Sequence, residues 1–180
     1  GGTIGTTGLT TWDGNVFGGG RNIDAYNNTT GVVRGNTDIQ MSGGTIMANM
    51  YGGGRFGSVG MDYNTAHTTI DTIAGSDHGY VNINITGGVV GDAYVQYLGH
   101  YANGSEMPRT GYVFGGGRGI MEEDKVDKLG NVKGTTVTVG GDALVKSSVY
   151  GGSERGVVYK NTLVRMTGDA EVGEASELMA

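Results

Sequence analysis

Three arginines of this chain could bind an anion, because each follows the same short motif. Arg21, Arg55 and Arg118 each come directly after an aromatic residue and three glycines. If successive motifs stack about 4.8 Å apart, neighbouring arginines repel by roughly 1 kcal/mol in water and about 3–4 kcal/mol at an effective dielectric near 20. A counter-charge is therefore needed. It is an anionic ligand such as a uronic-acid or sulfated glycan gripped bidentately, corner carbonyls, or a carboxylate among Asp24, Asp62, Glu122 and Glu154.

A second group of candidate binding residues lies in one tyrosine-rich segment. Its members are Tyr94, Tyr97, His100, Tyr101 and Tyr112. Tyrosine rings bury apolar area while keeping a polar tip, which suits stacking on a sugar or contact with a protein partner. The alternative is that these rings pack the segment onto the rest of the protein. We therefore expect a binding surface in this segment before any other part of the chain.

The histidines do not predict a metal site. His67, His78 and His100, together with Asp71 and Asp77, carry ligand-type side chains. Their successive spacings of 11 and 22 residues match no recognised ligand motif. We expect them to be surface loop residues, and we expect neither a metal nor a cofactor.

One glycine string matches the dinucleotide fingerprint Gly-x-Gly-x-x-Gly, at residues 52–57. The fingerprint requires a helix that opens at those glycines and holds the pyrophosphate at its N-terminus. The residues that follow are not helix formers, and the equivalent glycine motifs before Arg21 and Arg118 lack the third glycine. The string is therefore expected to be structural.

Lysis or hydrolysis of a polysaccharide would need acidic residues in particular positions. Hydrolysis needs two carboxylates facing each other across the glycosidic bond, and lysis needs a carboxylate-bound calcium with a basic residue. The outward strand positions Gln40, Asn84, Thr138 and Arg165 are polar but not acidic. The sequence therefore names no catalytic residue.

Two short elements alternate strictly along the chain and must position these residues. The first combines an apolar residue, an aromatic residue, glycines and a cation, and its copies lie at 16–21, 50–55, 113–118 and, degenerately, 149–155. The second is a short alternating strand ending in glycine, and its copies lie at 39–43, 83–87, 137–141 and 164–168. Internal repeats of this kind indicate a stacked repeat architecture.

The period of two within each copy predicts strands with one buried face. A single copy cannot cover its own apolar face, but parallel stacking of equivalent strands can. We expect an inward column of Met41, Ile85, Val139 and Met166 and an inward aromatic column of Phe17, Tyr51, Phe114 and Tyr150. The glycines are expected at corners, where positive φ or close backbone approach excludes a Cβ.

Repeat spacing separates the turns from their insertions. The aligned glycines Gly43, Gly87, Gly141 and Gly168 are 44, 54 and 27 residues apart, and the last value indicates the bare turn. Longer turns carry insertions at roughly 56–79, 91–111 and 121–131, which we expect in surface loops. The sequence thus predicts an all-β protein, a parallel β-helix (β-solenoid) of about four turns with loop insertions, in a single domain spanning 1–180.

Composition excludes several other classes. Glycine supplies 38 of 180 residues, but there is one proline and no three-residue period, so collagen is excluded. The net charge of −6 argues against nucleic acid, and no run of about 20 apolar residues predicts a transmembrane helix. The ends carry no recognisable caps, so we expect a fragment of a longer chain or a unit that stacks end to end.

The alternating elements resemble those of glycine-rich, adhesin-like repeat proteins on the surface of gut bacteria. Those proteins are similar in architecture to right-handed, pectate-lyase-like β-helices. The resemblance implies a secreted or cell-surface bacterial protein, and the handedness follows from it and from the usual chirality of parallel crossovers. No pectate-lyase catalytic residue carries over, because no matching motif is present.

These observations favour a structural or adhesive solenoid whose insertions bind a glycan or a protein. One alternative is part of a polysaccharide lyase or glycoside hydrolase of the β-helix type. A second alternative is a self-stacking fibre subunit.

Overall fold

The computed structural model describes residues 1–6, 14–22, 30–63, 70–72, 77–91, 110–120 and 129–173, with 61–63 and 70–72 described by backbone alone. Every regular element in these ranges is a β-strand, and none of the described residues belongs to a helix able to cross a membrane. The strands are β1 (Thr3–Ile4), β2 (Val16–Phe17), β3 (Thr37–Ile46), β4 (Met50–Tyr51), β5 (Met61–Tyr63), β6 (Ile70–Thr72), β7 (Tyr80–Val90), β8 (Tyr112–Phe114), β9 (Gly134–Val139), β10 (Leu144–Val145), β11 (Ser148–Tyr150), β12 (Thr162–Met166) and β13 (Glu171–Val172).

The larger sheet has seven strands, and all its pairs are parallel. Its order is β1-β3-β7-β10-β13, and β9 and β12 extend it from the first half of β7. The pairing of β3 with β7 shifts register between Met41 and Thr45, where each strand passes through a glycine pair. The long strands thus have two halves with separate partners: the first half of β7 pairs with β9, and its second half pairs with β10.

The predicted inward column of the larger sheet is confirmed. Met41 pairs with Ile85, Ile85 with Val139 and Val139 with Met166, each between neighbouring parallel strands. The side chains of Ile85 and Val139 are fully buried in the hydrophobic core. Burial of such a side chain is worth about 1.5–3 kcal/mol, so the buried column stabilises the stacking of these strands.

The smaller sheet has four strands in the order β11-β8-β4-β2, also parallel. Phe17, Tyr51, Phe114 and Tyr150 pair in register along it. Their rings stack almost parallel, with successive centroid distances of 4.8, 5.2 and 5.1 Å. These distances match the spacing between strands, so the predicted aromatic column is confirmed as a continuous stack.

The predicted inward direction of the aromatic column is wrong. Met50 and Val113, the residues just before Tyr51 and Phe114, are fully buried members of the hydrophobic core cluster, and the rings do not belong to it. Successive side chains of a strand point to opposite faces, so the rings lie on the other face of the smaller sheet. The inner rings are still buried, because each is covered by the ring above and the ring below.

A third apolar column completes the core, and the sequence patterns did not reveal it. Val33 forms a parallel bridge with Val59, and Val132 forms one with Val158. The backbone N–H of Val59 donates to the carbonyl of Asn131, which joins the two bridges. Val59 and Val132 are fully buried and belong to the same core cluster as the two sheets.

Two of the predicted insertions are shorter than expected. Residues 56–59 belong to the stack, since Phe56 and Val59 are buried. The same holds for 129–131, where Leu129 and Asn131 are buried. Within the first insertion, β5 and β6 form an antiparallel pair, and residues 121–128 of the third insertion lie outside the described residues.

Candidate functional site

The three candidate arginines occupy equivalent positions of successive glycine corners. The backbone N–H of Arg55 donates to the Gly20 carbonyl at 3.0 Å, and that of Arg118 donates to the Gly54 carbonyl at 2.9 Å. The next bond of this series runs from Glu154 N–H to the Gly117 carbonyl at 3.0 Å. The corner column therefore reads Arg21, Arg55, Arg118, Glu154, with an acid at its fourth position.

Glu154 supplies a counter-charge that the stacked arginines require. Its Oε2 lies 3.5 Å from Nε of Arg118, and its Oε1 lies 3.5 Å from Nε of Arg155. Arg55 makes a different contact, with its guanidinium carbon 5.0 Å from the centroid of the Phe56 ring, a cation–π geometry. Of the three candidate arginines, Arg21 is exposed and the other two are partly buried, so Arg21 is the one most open to a ligand.

Of the other acids proposed as counter-charges, Asp24 and Glu122 lie outside the described residues, as does the side chain of Asp62.

A buried tyrosine connects the aromatic column to this charge cluster. The Tyr51 hydroxyl donates a 2.6 Å hydrogen bond to Oε2 of Glu154. Burial of the ring, and then the negative charge of Glu154, raise the pKa of the Tyr51 hydroxyl well above its usual value. The phenol is therefore a neutral donor that holds the carboxylate in place, and it is unsuited to act as a general base near neutral pH.

Tyr112 is the one described member of the tyrosine-rich candidate group. Its ring lies 5.8 Å from that of Phe114 and 6.1 Å from that of Tyr150, tilted by 40° to both. Its backbone N–H donates to the side-chain oxygen of Asn49 at 2.9 Å. Tyr112 thus packs beside the aromatic column. The remaining members, Tyr94, Tyr97, His100 and Tyr101, lie outside the described residues.

Of the histidines, His78 alone is described, and its Nε2 lies 4.0 Å from the exposed carboxylate of Asp77. In the described part of the chain, no group of three or more His, Asp or Glu side chains could hold a metal ion.

The outward face of the larger sheet carries a hydrogen-bonded polar ladder. Asp38 Oδ1 accepts from the side-chain amides of Gln40 and Asn82, both at 2.7 Å. The Asn84 amide donates to Gln40 Oε1 at 2.9 Å. By register, Thr136 and Thr138 continue these two rows on the next strand. The bonds hold the side chains in a regular array about 4.8 Å apart along the stack.

Glycine pairs close the base of the insertions. Gly91 donates to the Ile46 carbonyl at 2.7 Å and Gly111 to the Ala48 carbonyl at 3.0 Å, so the insertion between them leaves and rejoins the stack at neighbouring points. Both glycines have positive φ, at 122° and 86°. A Cβ on Gly91 would lie 2.8 Å from the Gly111 Cα, so side chains are excluded there.

The other insertions begin and end in the same way. At each of them a Cβ on one border glycine would collide with the other, at Gly60 with Gly79 and at Gly119 with Gly130, and the same contact joins Gly20 to Gly31 on either side of residues 21–30. The sequence indicates these closed bases, since a glycine stands at both borders of each insertion.

Comparison with known proteins adds no relative. No protein-family model matches the chain, and neither a curated protein nor a solved structure is significantly similar to it.

Proposed function

We propose that the chain is a right-handed parallel β-solenoid of about four turns. Support comes from the order of the strands along the chain. The chain returns several times to the same set of columns, and the strands of each return, called a pass, pair in parallel with those of the pass before. The successive passes are β1, β2 and Val33; β3, β4 and Val59; β7, β8 and Val132; β9, β10, β11 and Val158; then β12 and β13. The right hand is that of nearly all parallel crossovers.

We further propose that the solenoid is a structural or adhesive scaffold of a secreted or cell-surface bacterial protein, and that its insertions bind a glycan or another protein. The closed base at Gly91 and Gly111 carries this proposal. A loop held at both ends by a rigid stack loses less freedom on binding than one on a mobile support. Rigid scaffolds commonly carry binding residues on loops in this way.

The charge cluster fits a scaffold better than an enzyme. The acid of the corner column is engaged by two arginines and by the Tyr51 hydroxyl, which is a neutral donor. The polar ladder offers amide donors and acceptors in a fixed array, which suits hydrogen bonding to sugar hydroxyls. A polysaccharide lyase or hydrolase remains the alternative to test.

A glycan array probed with the full chain tests the binding proposal. We expect selective binding that is lost in the double variant Tyr97→Ala/Tyr101→Ala of the insertion. Tyr159→Ala is the matched control, because Tyr159 is an exposed tyrosine of the stack itself. Equal loss in the control, or no selective binding to any glycan or surface protein, would count against the proposal.

The same preparation is assayed for release of reducing ends and of unsaturated uronides from acidic polysaccharides. We expect no turnover. Turnover that copurifies with the chain would establish the enzyme alternative instead.

A further inference from the structure

One large apolar side chain is exposed in the middle of the stack. Among the described strands, the other exposed large apolar side chains lie on β1, β11, β12 and β13, each of which has a partner strand on one side only. Tyr80 is 41% exposed although its strand, β7, pairs with β3 on one side and with β9 on the other. The exposure of Tyr80 is therefore a property of the outer face of the larger sheet and not of an edge.

The ring of Tyr80 lies over a glycine of the neighbouring strand. Tyr80 pairs with Gly134 on β9, and a Cβ at Gly134 would lie 3.0 Å from two carbons of the ring. Gly134 is buried although its register places it on the outer face. A side chain at this position would compete with the ring for the same space, so the glycine allows the ring to lie close to the sheet.

Contacts on both sides hold Tyr80 in place. Its backbone N–H donates to Oδ1 of Asn36 at 2.8 Å, and the Asn36 amide donates to the carbonyl of Asp77 at 2.8 Å. The ammonium of Lys133 lies 5.5 Å from the ring centroid, which is a cation–π distance. An aromatic surface that is already held in this way loses little freedom when a ligand binds.

Hydrogen-bonding groups stand beside the ring on the same strand. Asn82 and Asn84 follow Tyr80 at two-residue steps of about 6.6 Å, on the same face of β7. Each side-chain amide donates one N–H within the polar ladder, and a carboxamide has a second N–H and a carbonyl oxygen. In the part of the chain that the structure describes, neither of these two carbonyl oxygens accepts a hydrogen bond, and nor does Oδ2 of Asp38.

We propose that Tyr80, Asn82, Asn84 and Asp38, here called the Tyr80 face, bind an extended neutral polysaccharide. A pyranose ring has an apolar side of C–H groups, which packs on an aromatic ring, and a rim of hydroxyls, which both donate and accept. By register the polar rows continue through Thr136 and Thr138 on β9. The hydrogen-bonding surface is thus longer than one sugar, which suits an extended chain.

Charge favours a neutral sugar over an acidic one on the Tyr80 face. Asp38 is exposed and lies inside the array, because its Oδ1 accepts from the Asn82 amide at 2.7 Å. A carboxylate is a strong acceptor for hydroxyl donors and repels a uronate or a sulfate. The nearby ammonium of Lys133 is engaged by the Tyr80 ring.

This inference goes beyond the proposed function, which places binding in the insertions. The Tyr80 face needs only the described strands of the larger sheet, and none of its residues belongs to an insertion. The ligand class is shared with the proposed function, but the site and its residues are different. The two sites are therefore tested with different variants and by different measurements.

Three variants probe the Tyr80 face, and one is a matched control. Tyr80→Ala removes the stacking surface, whereas Tyr80→Phe keeps it and removes only the hydroxyl. Gly134→Ala places a methyl group against the ring and should displace it, while the strand pairing is kept. Tyr150→Ala is the control, because Tyr150 is an exposed tyrosine of the smaller sheet. Circular dichroism checks that each variant is folded.

Nuclear magnetic resonance titration of the full chain with cellohexaose, xylohexaose and mannohexaose tests the proposal. We expect at least one of these neutral sugars to shift the side-chain amide signals of Asn82 and Asn84. Tyr80→Ala should weaken this binding at least about tenfold and Gly134→Ala several-fold, while Tyr80→Phe stays within about threefold of the native chain and Tyr150→Ala binds like it. Hexagalacturonate, the acidic probe, should bind more weakly than the neutral sugar.

Three results would overturn the proposal. They are neutral sugars that shift no signal of the Tyr80 face, binding by Tyr80→Ala that equals that of the control, and binding of hexagalacturonate that is as tight as that of the neutral sugars. The insertion variant Tyr97→Ala/Tyr101→Ala should bind the hexasaccharide like the native chain. Loss of the titration signal in this variant but not in Tyr80→Ala would overturn the Tyr80 face and leave the proposed function standing. The expected titration without any selective binding on the glycan array would do the reverse.

Discussion

Replacement of Gly53 by alanine should lower the free energy of unfolding far more than the same replacement at Gly152, which lies at the end of the same column of glycines. A Cβ on Gly53 would lie 2.7 Å from the Gly117 nitrogen and 2.9 Å from the Gly117 Cα. These are backbone atoms of the next pass, so the two passes must move apart. At the equivalent Gly152, a Cβ would meet nothing within 4 Å, because no described pass follows it there.

The magnitude follows from the contacts that must give way. Overpacking of this kind costs about 1–3 kcal/mol, and loosening the bond from Gly53 N–H to the Gly116 carbonyl, 3.1 Å long, adds about 1 kcal/mol. Gly53→Ala should therefore lose about 2–4 kcal/mol of unfolding free energy. Gly152→Ala should gain about 0.4–1 kcal/mol, because alanine restricts the unfolded chain.

Urea denaturation of both variants, followed by circular dichroism, measures this difference through the shift in midpoint at constant slope. The measurements are made at a concentration where the native chain is monomeric, so that association does not add to stability. Equal effects of the two substitutions would refute the inference that the passes are stacked through these glycines.

Three further predictions concern the core and the charge cluster. Ile85→Ala should cost about 2–5 kcal/mol of unfolding free energy, and Met166→Ala clearly less, because Ile85 is fully buried and Met166 is not; urea denaturation measures both. The raised pKa of Tyr51 means that the folded protein holds this proton more tightly than the unfolded one. Its contribution is complete below the unfolded pKa of about 10 and is lost as pH rises above it, so Tyr51→Phe should flatten the alkaline loss of thermal stability. A double-mutant cycle of Arg118→Met with Glu154→Gln should give a coupling of only about 0.2–1 kcal/mol, since the ion pair is 3.5 Å long and partly exposed; a coupling of several kcal/mol would contradict this.

The strand columns could be predicted from the sequence because two signals coincide in them. Alternation marks a half-buried strand, and repetition at equivalent places aligns Met41 with Ile85 and Val139. Strands that are too short to be stable alone must stack, so the pairs and their register followed from the repeat.

Other features could not be predicted, because their signals are weak or symmetric. The valine column rests on single residues such as Val59 and Val132, which have no alternating neighbours to mark a strand. The face of the aromatic column is one of these features, because Met50 and Tyr51 are both apolar and the pattern does not say which of them faces the core. The sequence offers four acids as the counter-charge of Arg118 and does not distinguish between them. The side-chain geometry places Glu154 beside Arg118.

Distances between spin labels on the outward face test the parallel stack most directly. The chain has no cysteine, so paired cysteines can be labelled alone at Gln40 with Asn84, with Thr138, or with Arg165. These partners lie on successive parallel strands at the same register position. Dipolar EPR should give label separations that increase in this order, by about 4.8 Å at each step. Separations that do not increase in that order, or that increase by much more than one strand spacing, would contradict the parallel stack.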